Sequence, residues 1–349
     1  GSARDDAGVW RDKSGKAMSD ADHARIKALG VPPAWTALRL NPDTDGDLQA
    51  LGRDAKDRAQ YLYSAAHSER AAAEKFARVG AFTKELKSIR EKVAADLADK
   101  TLSPADREAA NVLDLIDKTA FRIGSDSETG AEEKAYGATT LEARHVEVDG
   151  SKVKFAFVGK KGVAIEKTID DKRLAKEIGA RIKDAAPGDK LFDTTDAKVR
   201  DYMHARDGDF KVKDYRTHHG TTVAMREVES MDAPKTQKEF ASAQKAVSEI
   251  VAAHLGNTAT VARQSYIDPA VWSAWKGGLM KKSKASRFAS MTDDEVMAEF
   301  LATVRYVGDS GHSAEEAKKI SAESGTSEDE PAEPVEGGKT RLTGQFNPF

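Results

Sequence analysis

An α+β fold is predicted: a small N-terminal, mostly antiparallel β domain, then a larger, mainly helical domain containing a three-stranded antiparallel sheet. Three observations carry this. Residues 8–78 mix short alternating stretches with turn signals, as where Trp35 to Leu40 runs into Asn41-Pro42. Residues 141–148, 152–158 and 163–169 alternate and are separated by Asp149-Gly150 and by Gly159-Lys160-Lys161-Gly162. Asp-Gly between alternating runs signals a hairpin, so a meander is expected. Most of the remainder from Thr83 to about 307 recurs at helical spacing.

Taken in order, the N-terminal domain covers 1–78, and a hinge is expected at 79–82, where Val79-Gly80-Ala81 interrupts the pattern. The larger domain follows over 83–307. Ser103-Pro104-Ala105-Asp106 opens a helix with an N-cap, a proline in the first turn and an early acid. Val112, Leu115, Ile116 and Thr119 form its stripe, and Gly124 is its expected stop. Further on, Thr236 to Glu239 reads as a capping box, with Phe240, Ala243, Val247, Ile250 and Val251 as the buried face and Gly256 closing the helix. Residues 308–349 are rich in Ser, Glu, Gly and Pro and are expected to form a disordered acidic tail.

Composition narrows the function. With no cysteine among 349 residues, disulfides, thiolate zinc sites and cysteine nucleophiles are excluded. No run approaches the roughly 20 apolar residues of a membrane-spanning helix, so no membrane partner is expected. Gly1-Ser2 reads as a tag-cleavage scar, and no signal peptide follows. The net charge is −3, but residues 309–349 carry nine acids against four bases, leaving about +2 on the rest. Affinity for a polyanion must therefore come from local patches.

Five residues stand at structural punctuation marks: Arg122 near a helix end, Lys160 at a hairpin tip, Arg216 near a helix start, Asn257 after Gly256, and Tyr266 nine residues on. Singly, each reads as ordinary: a dipole-complementing arginine, a solvated lysine, a packed tyrosine. Their order and surrounding motifs carry more. WRDKSGK, VPPAW (Val31 to Trp35), LQALGRDAKDRAQYLY (Leu48 to Tyr63), FRIGSDS, YGATTL, FVGKKG, KDYRT and GNTATVARQSY resemble, in sequence order, the poxvirus-like type IB DNA topoisomerases, including bacterial ones.

That resemblance implies a C-shaped clamp around double-stranded DNA and relaxation of supercoils without ATP, metal or other cofactor. It makes Tyr266 the nucleophile that forms a 3′-phosphotyrosyl bond, with Arg122 and Arg216 on the phosphate oxygens and Lys160 protonating the leaving 5′-oxygen. Asn257 stands where the poxvirus enzymes usually carry histidine; an amide donates a hydrogen bond but moves no proton, so transition-state stabilisation is its expected role. A monomer in the cytoplasm, associated with the nucleoid, is implied. The alternative within this fold is a tyrosine recombinase. Those enzymes place histidine three residues before the second arginine, where this chain has Lys213.

Other local patterns are weaker. Arg53, Lys56 and Gln60 recur at three and four residues, reading as a helix face for a DNA groove, with Tyr61 and Tyr63 matching family tyrosines that lie against DNA. Asp43 to Asp47 suggests a calcium loop, but its sixth position is Leu48 and its twelfth Asp54, so a turn without metal is expected. His218-His219 reads as helix packing or a phosphate contact. Lys276, Lys281, Lys282, Lys284 and Arg287 form a second basic patch, read as backbone contact.

Overall fold

The computed structural model describes residues 3–5, 8–125, 134–208, 210–278 and 287–309. They form an α+β fold in two compact units that divide between Phe76 and Ala77.

In the first unit, β1 (Ala3–Arg4) pairs with β2 (Trp10–Arg11), and α1 (Asp20–Ala28) follows, capped by Ser19. Strands β3 (Thr36–Leu40), β4 (Leu48–Arg53) and β5 (Ala59–Tyr63) form an antiparallel sheet in that order. Trp10, Ile26, Val31, Trp35, Leu38 and Ala50 make its core. Gly52 is required there, because a Cβ would lie 2.5 Å from the Trp35 ring. The β3–β4 connection is a turn over Asp43 to Asp47, with the Asp45 amide donating to Asp43 Oδ1 at 2.9 Å.

The segment from Gly52 to Tyr63 is a β-hairpin, which corrects the expected helix. Asp54 organises its turn by accepting the Lys56 and Arg58 amides at 3.0 Å on Oδ1 and Gln60 Nε2 at 3.0 Å on Oδ2. Local side-chain-to-backbone bonds of this kind compete directly with helix formation.

Helix α2 (Ala65–Ala98) spans the division between the units, and residues 79–82, expected as a hinge, are helical. Val79 and Phe82 are buried, and the bare face of Gly80 lies against Leu301. Helix α3 (Pro104–Thr119) starts as expected at Ser103, whose Oγ accepts the Asp106 amide at 3.1 Å. It stops earlier than expected, since Ala120 takes a left-handed conformation with φ 56°.

The meander consists of β6 (Val146–Asp149), β7 (Lys152–Val158) and β8 (Ala164–Asp170), paired antiparallel. Residues 141–145, expected as its first strand, instead include a 3₁₀ turn at Ala143–His145. Val153, Phe155 and Phe157 face inward onto α2, α3, α4 (Lys172–Ile182) and α5 (Asp196–Asp207).

A second core joins α6 (Val212–Glu229), α7 (Gln237–Leu255), α8 (Ala259–Ser265), α9 (Pro269–Lys276) and α10 (Asp293–Asp309). On α7 the buried face runs through Phe240, Gln244, Val247, Ser248, Val251 and Leu255. Ile250, expected on that face, is 40% exposed, because at about 100° per residue it points roughly 100° away from the centre of that face. The expected tail from 310 onward and most of the second basic patch lie outside the described residues.

Candidate active site

Helix α6 is anchored at its first turn. Asp214, almost fully buried, accepts the Lys211 amide at 2.9 Å and a bidentate pair from Arg78 at 2.9 and 3.0 Å. From that fixed start, Lys213, Arg216 and Gly220 fall on one face, three and four residues apart. A Cβ on Gly220 would sit 2.6 Å from the Tyr266 carbonyl oxygen and 3.0 Å from its Cβ. The missing side chain lets the end of α8 press against α6. Thr221 Oγ1 closes the joint, donating to the Tyr266 carbonyl at 3.3 Å and accepting the Asp268 amide at 3.1 Å.

Tyr266 thus lies beside the cations of α6, with its ring centroid 4.9 Å from the Arg216 guanidinium carbon and 5.3 Å from Lys213 Nζ. Burial pushes its hydroxyl up, but Arg216, Arg122 and Lys213 together outweigh that and bring it down to about 8. Opposite charges at such distances favour the ionised form.

Arg216 is 3% exposed and held from both sides. Its guanidinium donates to the Ala120 carbonyl just past α3, to the Leu255 carbonyl at 2.9 Å, and to Asn257 Oδ1 at 3.2 Å. Arg122 Nη2 donates to that same Asn257 oxygen. The amide orientation follows: its oxygen bridges two guanidiniums, so its nitrogen points away. Asn257 is placed by Gly256, the left-handed residue at φ 63° that ends α7.

Arg122 lies in an extended segment two residues beyond the left-handed Ala120, not at the helix end itself. Its carbonyl accepts the Ala138 amide at 2.8 Å, and the Ile123 carbonyl accepts the Thr139 amide at 2.8 Å. Gly137 and Gly124 touch there; a Cβ on Gly137 would meet Gly124 at 2.5 Å.

Lys160 is exposed on the turn between β7 and β8. Bare faces of Gly159 and Gly256 both lie on the Ile165 side chain, which seats the root of that turn beside the residue preceding Asn257. Arg122, Arg216, Asn257 and Tyr266 are therefore brought together, and the Lys160 turn is rooted next to them.

Within the cluster, Arg122 Nε, Arg216 Nε and Asn257 Nδ2 are buried donors with no acceptor among the described residues. Buried donors are nearly always satisfied. Three unsatisfied ones beside an acidified tyrosine suit an anionic oxygen-rich group.

The other expected site residues lie in the first unit. Register places Leu51 opposite Tyr61 and Arg53 opposite Ala59, so Arg53 and Tyr61 share one exposed sheet face. Gln60, opposite Gly52, points to the buried side. Lys56 is on the exposed turn, and Tyr63 stacks on His67 at 4.5 Å between centroids. His218 and His219 are buried packing residues: His218 meets Thr83 Oγ1 at 3.1 Å, and His219 Nε2 meets the Asp117 carbonyl at 2.6 Å. Sequence reasoning used Lys213 only to separate families and passed over Gly220. Their spacing to Arg216 in KDYRTHHG was the available signal.

A family model described as eukaryotic DNA topoisomerase I, catalytic core, matches residues 64–286, and one described as bacterial DNA topoisomerase IB, N-terminal domain, matches residues 9–54. The chain is 26% identical over 287 residues to DNA topoisomerase 1B of Acanthamoeba polyphaga mimivirus, covering 74% of this chain and 85% of that protein. It is 25% identical over 177 residues to DNA topoisomerase 1 of Caenorhabditis elegans, covering 46% of this chain and 22% of the relative. Against DNA topoisomerase 1 of Homo sapiens it is 27% identical over 137 residues, covering 37% and 18%. With models for both its N-terminal and catalytic regions matched in sequence order, the chain belongs to the type IB DNA topoisomerase family.

Proposed function

We propose that the chain relaxes supercoiled DNA by cutting one strand through Tyr266 and resealing it. The Tyr266 phenolate attacks a backbone phosphorus; a phosphotyrosyl ester forms at the 3′ side and the bond to the 5′-oxygen breaks. Lys160 delivers the proton that turns the departing alkoxide into a hydroxyl. Rejoining is the reverse: the 5′-hydroxyl attacks, its proton returns to Lys160 and the phenolate leaves. One phosphodiester replaces another in each direction, so no nucleotide hydrolysis is required.

The observation that carries this reading is a trio of buried donors in the cluster that holds Tyr266, Arg122 Nε, Arg216 Nε and Asn257 Nδ2, with no acceptor among the described residues. The transition state places extra negative charge on the non-bridging oxygens. Guanidiniums stay protonated throughout and offer fixed, planar donors to them. The exposed sheet face with Arg53 and Tyr61 is assigned to the DNA, one as a phosphate contact and the other as a flat surface against it.

The experiment is plasmid relaxation in EDTA without ATP, with detergent-trapped protein–DNA adduct as a second readout. Relaxation and an adduct mapped to Tyr266, both abolished by Tyr266→Phe, are expected. Joining of two DNA molecules at fixed sites, without general relaxation, would make the chain a recombinase instead.

A further inference from the structure

The C-terminal end of α3 is capped by side chains from three different elements. The Phe121 amide is drawn to Thr119 Oγ1 at 3.2 Å, so the Asp117 carbonyl is left for His219 Nε2 at 2.6 Å. Ala120 turns left-handed, and its carbonyl is taken by Arg216. Between them, the Thr119 carbonyl is taken by Lys167 Nζ at 2.7 Å.

Lys167 sits in β8 opposite Phe155. Phe121, the next residue but one after Thr119, packs edge-on against Phe155 and Phe157 with centroids 5.3 and 5.0 Å apart. The sheet thus grips the exit of α3 twice, by an apolar contact at Phe121 and by an ammonium at Thr119. Arg122 is the next residue along. Segment 137–139 holds its far side through the Ala138 and Thr139 amides.

From this arrangement we propose that Lys167 is a positioning residue for Arg122, acting through the Thr119 carbonyl to fix the segment that presents the guanidinium to the scissile phosphate. The inference rests on the reading of Arg122 as a phosphate contact. Burial first, and then the repulsion of Arg216, lower the Lys167 ammonium to about 8, with Asp293 opposing. The cation is therefore held where its surroundings disfavour it. A helix C-terminus favours positive charge, and Lys167 supplies it directly. A neutral, non-donating side chain leaves the carbonyl of the buried Thr119 without a partner, and the exit segment relaxes away from the sheet.

The test is a double-mutant cycle on the full chain, read as detergent-trapped adduct on saturating, end-labelled plasmid-derived DNA under single-turnover conditions. K167M is expected to slow adduct formation about 10- to 100-fold, the scale on which an ångström of misplacement acts. DNA affinity stays within about threefold, and K167R restores the rate to within about threefold of the parent. In an Arg122→Ala background, whose slow adduct is followed over a day, K167M costs less than about threefold, because residues acting as one unit are non-additive. Should K167M lack a cooperative melt, the cycle is run with K167Q, for which the same pattern is expected in weaker form. An equal loss in both backgrounds, an unchanged rate, or a loss confined to DNA affinity overturns the proposal. Failure of the underlying reading looks different: the parent protein gives no adduct, or Tyr266→Phe still gives one.

Discussion

Gly220 and Tyr266 are packed so closely that a single methyl group on the glycine would lie 2.6 Å from the tyrosine's carbonyl oxygen. The atom in the way is backbone, so it cannot rotate aside. Gly220→Ala should therefore push the end of α8 off α6 and move the phenol from Arg216, even though alanine favours the helix by roughly 1 kcal/mol. The expected result is at least a tenfold slower adduct formation, about 1.4 kcal/mol in barrier, with DNA binding retained. An unchanged rate would show that the contact has no bearing on the nucleophile.

The acidified Tyr266 makes a pH prediction. With its hydroxyl at about 8, single-turnover cleavage should rise as pH passes through that value and level off above it. Lys213→Met removes one of the three cations responsible, so the inflection should move upward, each unit lowering the phenolate fraction at neutral pH about tenfold. A stopped-quench series from pH 6.5 to 9.5 decides this; an inflection that stays in place in the variant counts against Lys213.

Asn257 bridges two guanidiniums through one oxygen, so the charge of its side chain matters more than its size. Asn257→Asp places a carboxylate between them, neutralising the field meant for the phosphate and raising Tyr266. A loss of about a hundredfold in adduct formation is expected, the scale of removing one preorganised donor. Asn257→His, with a neutral ring that accepts one guanidinium, should stay within about tenfold of the parent. Equal rates for Asp and Asn would refute the electrostatic account.

Buried histidines should make stability fall in acid. Burial lowers His218 and His254 to about 3, and lowers His219 as well. The unfolded chain binds their protons near 6.5, so stability is full above that pH and falls as pH drops toward 3. The slope is about 1.4 kcal/mol per pH unit for each histidine. Asp294 works the other way, since burial raises its carboxyl and the folded state takes up that proton more readily. Urea unfolding between pH 7 and 4 should show a shallower slope in His254→Asn than in the parent, by about one proton.

On the first unit, Arg53 and Tyr61 share an exposed face that Gln60 does not. Arg53→Ala should weaken DNA binding and reduce the salt slope by about 0.9, as loss of one phosphate contact does. Gln60→Ala should instead lower the melting temperature, since it strips a bond from Asp54, and leave the salt slope alone. Anisotropy titrations at several salt concentrations separate the two.

Much of this was legible in the sequence where the cause is local. Ser103-Pro104 and Thr236 start helices by capping, and Asp149-Gly150 turns a hairpin, because a few neighbouring atoms decide those outcomes. The spacing of Arg53, Lys56 and Gln60 misled, since three-and-four recurrence says helix only when nothing competes, and Asp54 competes. Gly124 is the usual kind of left-handed stop, yet α3 ends at Ala120, where Arg216 takes the Ala120 carbonyl and Lys167 that of Thr119, partners which only the fold brings near. Four of the five expected site residues, Arg122, Arg216, Asn257 and Tyr266, do meet in the fold, but the Asn257 bridge and the Gly220 contact depend on pairs distant in sequence.

The site is assembled from segments scattered along the chain, and the proposed nucleophile comes last. Tyr266 leaves the ribosome after Arg122, Lys160, Arg216 and Asn257, and it is pressed into place only once α8 has docked on the bare face of Gly220. On the proposed chemistry, a chain still being made, or one that has stalled before α8, holds DNA-attracting arginines but no means of breaking a strand.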